Sequence, residues 1–279
     1  MGDVDSSTAP RPHSRPLALV TGASSGIGEA FARTLAARGH DLALVARRAD
    51  RLDALAVELS AAHGITAFAI AADLSLTGAE ATVLEAVEAH GRHVDVLVNN
   101  AGFSIAQSFA DVPWSRQRDF LMTLVVTACG LAYGVIPGMV SRGRGRIINV
   151  GSLAGFAPGV AGHTLYPGAK SLIIKLTQAL DAEYRAAGLK LTVVCPGFTQ
   201  TEFASANGTD AVMAQAPRRL FQTPEQVVAA TLKANDRGQV VVVPGWHNAV
   251  AATLLHYLPQ GLVRWGLMKG SAKYHLAAD

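Results

Sequence analysis

The stretch Thr21-Gly22-Ala23-Ser24-Ser25-Gly26-Ile27-Gly28 limits the possible folds more than any other. It follows directly on the apolar run Leu17–Val20 and leads into a helical pattern of Ala30, Phe31 and Leu35. Strand, glycine-rich turn and helix, in that order, aim backbone N–H groups at a phosphate. On this reading Gly22 permits a tight turn, Gly26 lets the backbone approach a pyrophosphate, and Gly28 permits close helix packing. The plain alternative is an ordinary βα loop.

The remainder of the chain repeats the alternation. A strand is expected over Asp41–Ala46, a helix over about Asp50–Ala62, a strand over Thr66–Ala71, a helix over about Gly78–His90 and a strand over Val94–Val98. A long apolar helical stretch, Trp114–Val140, precedes a strand at Arg146–Val150. Further strands are expected at Leu189–Cys195 and Gln239–Val243. Thr223-Pro224-Glu225-Gln226 has the form of a capping box with proline at the first helical position. Alternating short strands and helices imply a doubly wound α/β domain with a parallel sheet.

In such a sheet, ligands bind beyond the carboxyl ends of the strands. The second strand ends in Ala46-Arg47-Arg48, where an acid would bond a ribose 2′-hydroxyl and an arginine would accommodate a 2′-phosphate. With no carboxylate in this stretch and two guanidiniums present, the phosphate is favoured. A solvated loop with Arg51 as a third surface charge is the alternative. Asp73, after the third strand, reads first as a turn residue. Asn99-Asn100 end the fourth strand, where they either face a ligand or make a plain turn.

At 279 residues, 50% hydrophobic and 16% charged, the chain can bury one large core without a second domain. The formal charge of +3 is spread without a basic block interleaved with aromatics, so a small molecule is expected as partner and not a nucleic acid. Cys129 and Cys195 lie in apolar runs, which suggests reduced thiols, and no zinc-ligand spacing occurs. Residues 1–16 read as a flexible arm without a signal-peptide core, with the cytoplasm as default location. About 198–222, including Met213, reads as a lid. The stretch 245–279 is a C-terminal extension with no run long enough to span a bilayer.

Tyr166 and Lys170 are candidates for the chemistry, the alternative being a chance pair on a solvated helix face. If Leu172, Ile173, Leu176 and Leu180 mark a helix, residues four apart share one face. A cation beside a tyrosine, whose ordinary pKa is ~10, favours the phenolate and lowers that value, giving a usable general acid/base. Thr164 is the expected N-cap, with Pro167 tolerable in the first turn. Ser152 sits just past the fifth strand.

From about Arg15 to Pro244 the chain resembles the short-chain dehydrogenase/reductase family. The resemblance rests on TGASSGIG at 21–28, NNAG at 99–102, Ser152, YPGAK at 166–170 and PGFTQT at 196–201. It implies a single Rossmann-type domain in which Tyr166 exchanges the proton with the substrate oxygen. Lys170 would lower the tyrosine's pKa and hold the nicotinamide ribose, and Ser152 would bond the carbonyl oxygen. Gly22, Ser24, Gly26, Ile27 and Gly28 would cradle the phosphates, Asp73 and Leu74 would meet the adenine, Asn100 would lie against the cofactor, and Thr201 would bond the carboxamide. Asn99 would be structural. The family's asparagine in the long helix, thought to hold a water that relays protons to the lysine, is Leu124 here.

The expected activity is NADP(H)-dependent reduction of a ketone or aldehyde on an apolar substrate, or oxidation of a secondary alcohol, by a homodimer or homotetramer. Phe103, Phe156 and Phe198 are candidates for the apolar pocket. The alternatives are a cofactor-binding regulatory protein without turnover, and an epimerase or dehydratase that retains its cofactor.

Overall fold

The computed structural model describes residues 15–159, 161–162, 165–203, 217–259 and 261–267. The arm up to residue 14, Thr164, most of the expected lid with Met213, and the tail beyond 267 lie outside the described residues.

Seven parallel strands form one sheet in the order β3-β2-β1-β4-β5-β6-β7. They are β1 Leu17–Thr21, β2 Asp41–Ala46, β3 Ala67–Ala71, β4 Val96–Asn99, β5 Gly145–Val150, β6 Leu189–Val194 and β7 Val241–Val242. The helices are α1 Gly26–Ala37, α2 Ala49–His63, α3 Ala79–Ala89, α4 Trp114–Leu121, α5 Thr127–Ser141, α6 Tyr166–Tyr184, α7 Pro224–Asp236 and α8 Trp246–Tyr257.

Successive side chains on a strand point to opposite faces, and both faces here are apolar. Ala18, Val20, Leu42 and Leu44 pack with Phe31 and Leu35 of α1, Leu52 and Leu59 of α2, and Val228 and Leu232 of α7. Leu17, Leu19, Ala43 and Val45 pack on the other face with Val83 and Val87 of α3 and Leu131, Val135 and Met139 of α5. The result is the doubly wound single domain. The order reverses between β1 and β4, so the crevice for a ligand opens where Thr21-Gly22 and Asn99-Asn100 emerge side by side.

Two elements depart from expectation. The last strand is shorter than Gln239–Val243. The long helical stretch is interrupted by a π turn, Met122–Val126, between α4 and α5. Trp114–Ser141 is long and apolar enough to cross a membrane by length and composition. Its Leu131, Ala132, Val135, Ile136 and Met139 are nevertheless spent on the sheet. At α7 the capping box is formed: Gln226 N donates to Thr223 Oγ1 at 3.3 Å, and Thr223 N to Gln226 Oε1 at 3.0 Å. Asn248 of α8 donates to Gln222 Oε1 and to the Pro244 carbonyl, which seats the extension beside the catalytic end of the sheet.

Candidate active site

The glycine-rich turn owes its shape to two left-handed glycines, Gly22 at φ +65° and Gly26 at φ +58°. Asn100 secures it: Nδ2 donates to the carbonyls of Thr21 at 2.9 Å and Gly22 at 3.3 Å. A Cβ at Gly28 would come within 2.1 Å of the Gly22 oxygen. Gly28 therefore serves the closure of the turn onto its own helix, where sequence suggested helix packing in general. A Cβ at Gly26 would meet Thr201 Cγ2 at 3.0 Å, so the turn and the segment after β6 are in contact. Ser25, the N-cap of α1, makes no side-chain cap bond, so the side chain at the end of this twelve-residue helix does not cap its first N–H groups. Ile27 packs against the core beneath them.

Arg48 lies across this turn. Its Nη2 donates to Ser24 Oγ and Ser25 Oγ, each at 2.9 Å, and its Nε to Ser24 Oγ at 3.2 Å. Arg47 is exposed. The absence of an acid at this end does not survive folding. Glu202 reaches in from beyond β6 and accepts from Arg48 Nη1 at 3.1 Å and Arg51 Nη1 at 3.0 Å, and the two guanidiniums hold its carboxyl below the usual range. Asp73 accepts from Ser75 N at 3.0 Å and Ser75 Oγ at 2.7 Å. Those bonds, assisted by the charge of Arg47, lower its pKa. Leu74 is buried in the core, and its carbonyl accepts from Thr127 Oγ1.

Ser152, Tyr166 and Lys170 converge as expected. Ser152 follows β5 and caps a 3-10 turn, its Oγ accepting from Ala154 N at 3.1 Å. The same hydroxyl lies near enough to the Tyr166 phenol to lower its pKa against the effect of burial. One turn along α6, Lys170 is only 7% exposed. Its Nζ donates to the Val150 carbonyl at 2.8 Å and lies 5.7 Å from the Tyr166 ring centroid.

The electrostatics correct the sequence reading. Burial pushes the Tyr166 phenol up, opposed by the nearby Ser152 hydroxyl. Burial also pulls Lys170 down to about 8. Removal from water disfavours whichever form is charged, so the phenol rises and the ammonium falls together. Beneath them the buried Cys195 thiol is pushed up to about 12 by burial, which keeps it neutral.

Behind Lys170 lies a cavity of about 10 Å³, the size of a single water, lined by Asn99, Thr123, Leu124 and Thr127 among others. Asn99 donates through Nδ2 to the Ala128 carbonyl and Asn149 Oδ1, while its own Oδ1 is buried without a partner. Leu124, in the π turn, packs with Phe120 and Ala169.

Rings surround the tyrosine. Phe120 stands 6.3 Å and Phe203 6.4 Å from it, centroid to centroid, and Phe103 packs edge-on to Phe120. Of the residues picked from sequence, Phe103 belongs to this group. Phe198 stacks on Phe221, and Phe156 packs against the cluster of Ile173 and Val193. Phe120, Phe203 and Glu202 carried no sequence signal, since each depends on contacts between segments far apart in the chain.

A family model described as short chain dehydrogenase matches residues 16–211. The chain belongs to the short-chain dehydrogenase/reductase family. A curated relative in this family, an uncharacterized oxidoreductase of Myxococcus xanthus, is 34% identical over 247 residues, covering 88% of this chain and 93% of its own. Among solved structures, a short-chain dehydrogenase from Sphingobium yanoikuyae in complex with NADPH superposes with a TM-score of 0.75 at 32% identity, covering 95% and 96% of the two chains. The bulky-bulky ketone specific alcohol dehydrogenase from Comamonas testosteroni gives 0.74 at 30% identity, with the same coverage. As a member of this family the chain is an oxidoreductase of the alcohol/ketone type.

Proposed function

We propose that this protein uses NADPH to reduce a ketone or aldehyde carried on an apolar substrate, with oxidation of the corresponding alcohol as the reverse reaction. The observation that carries the reading is Tyr166 one helical turn from a buried Lys170, whose Nζ lies 5.7 Å from the Tyr166 ring centroid, with Ser152 just past strand β5. A phenol with a raised pKa holds its proton at neutral pH, as an acid must before it donates to a carbonyl oxygen.

The residues fit a nicotinamide dinucleotide. Gly22, Gly26 and Gly28 let the turn close tightly, since a side chain at any of them would meet protein atoms, and the N-terminus of α1 favours a pyrophosphate. Arg47 and Arg48 suit a 2′-phosphate. The cofactor, when bound, supplies the hydride. Ser152 would orient the carbonyl oxygen, Tyr166 would transfer its proton to that oxygen as negative charge develops there, and Lys170 would replace the proton. Phe103, Phe120 and Phe203 offer apolar contact beside Tyr166, in keeping with the bulky-ketone enzyme among the structural neighbours.

A panel of ketones bearing aromatic or long alkyl groups, followed by loss of NADPH absorbance, tests this reading. Consumption of NADPH in step with alcohol formation is expected. Saturable NADPH binding without consumption across the panel would instead mark a regulatory binder. The exposed apolar Tyr133, Val126 and Leu172 on the long helices suit an assembly of two or four copies, which sedimentation would read directly.

A further inference from the structure

Three consecutive residues after β6 each touch a different part of the site. Thr201 lies against Gly26 of the glycine-rich turn. Glu202 holds Arg48 and Arg51, with both of its oxygens at 3.0 Å from Arg51 Nη1. Phe203 lies beside the Tyr166 ring. Glu202 thus brings to the arginine end a carboxylate that the C-terminal end of β2 lacks, from a segment that also reaches the catalytic tyrosine.

We propose that Glu202 is a specificity-determining residue that competes with the 2′-phosphate of the cofactor for Arg48 and Arg51. The inference rests on the NADP(H) reading above. A carboxylate carries one charge and two acceptor oxygens. A phosphate monoester carries about −1.5 to −2 at neutral pH and three strong acceptor oxygens, so it displaces the carboxylate from guanidiniums that both can reach. A dinucleotide without the 2′-phosphate brings no such competitor and leaves Glu202 in place. Arg48 remains anchored on Ser24 and Ser25 during the exchange, so the arginine keeps its place while its anionic partner changes.

The test is calorimetric titration of the full-length wild type and Glu202→Gln with two probes, 2′,5′-ADP and 5′-AMP, which differ in the 2′-phosphate. The side chain is 52% exposed, and glutamine keeps its shape, so the variant is expected to fold with an unchanged melting temperature. Glu202→Gln should bind 2′,5′-ADP about 3- to 5-fold more tightly while 5′-AMP stays within twofold, the range expected for exposed charge pairs of up to about 1 kcal/mol. A wild type that prefers 2′,5′-ADP, with affinities unchanged in the variant, would overturn the inference and leave the NADP(H) reading standing. Weaker binding of 2′,5′-ADP by the variant would also overturn it, because Glu202 would then be orienting the arginines for the phosphate. Wild type and variant that both bind the two probes equally would bring down the NADP(H) reading, and the inference with it.

Discussion

Replacing Lys170 with methionine separates the cost of a buried ammonium from everything else in the site. In the folded protein the group titrates at about 8, against an ordinary lysine value of 10.5. Between those two values the unfolded chain binds the proton and the folded protein does not, so wild-type stability rises with pH across the window. Below about 8 the penalty is present in full. At about 1.4 kcal/mol per pH unit it amounts to roughly 3 kcal/mol. Most of the group is deprotonated in the folded state by pH 9, so the wild type should regain about 1 kcal/mol between pH 7 and pH 9. Lys170→Met lacks this component. It also strands the Val150 carbonyl, at about 1–3 kcal/mol, but that loss does not depend on pH and cancels when the two pH values are compared. Neither Tyr166, raised above 10, nor Cys195, at about 12, titrates in the interval. Urea unfolding of both proteins at pH 7 and pH 9 measures the double difference. Parallel changes in the two proteins would refute the claim that burial depresses Lys170.

Tyr166→Phe removes only the hydroxyl. It should lower turnover by about 10²–10⁴ while NADPH affinity, read by fluorescence titration, stays within a few-fold. Arg48→Ala removes charge-assisted bonds of roughly 1.5–3 kcal/mol each and should weaken NADPH binding tenfold or more, with a smaller effect on NADH. Leu124 is 3% exposed and packed among Phe120 and Ala169. Leu124→Asn should therefore cost about 2–4 kcal/mol in urea unfolding, through lost apolar burial and a partly satisfied amide.

What sequence disclosed followed from how local each determinant is. The bounds of β2 and the capping box at Thr223 are set by neighbouring residues, and both formed where the pattern placed them. Tyr166 and Lys170 could be named because they share one local motif, and Ser152 through the family resemblance, and their convergence follows from the sheet order. The π turn at Met122–Val126 left no trace, because apolar periodicity over Trp114–Val140 reads as one helix. Glu202 was out of reach for a different reason. It lies 154 residues from Arg48, and nothing in its own surroundings announces a partner.

The sign of the tyrosine's shift was beyond sequence for a related reason, since burial is a property of the packed site. The spacing of Tyr166 and Lys170 suggests a cation that makes phenolate easier to form. In the folded protein both groups are instead pressed toward their neutral forms. For reduction this arrangement is the more useful one. A phenol with a raised pKa would keep its proton until a carbonyl oxygen gains negative charge beside it, and the phenolate left behind would be a strong base. A lysine at about 8 is a far better proton donor to that base than one at 10.5. In the proposed reduction the two shifts would favour proton transfer from Lys170 by way of Tyr166 to the substrate oxygen.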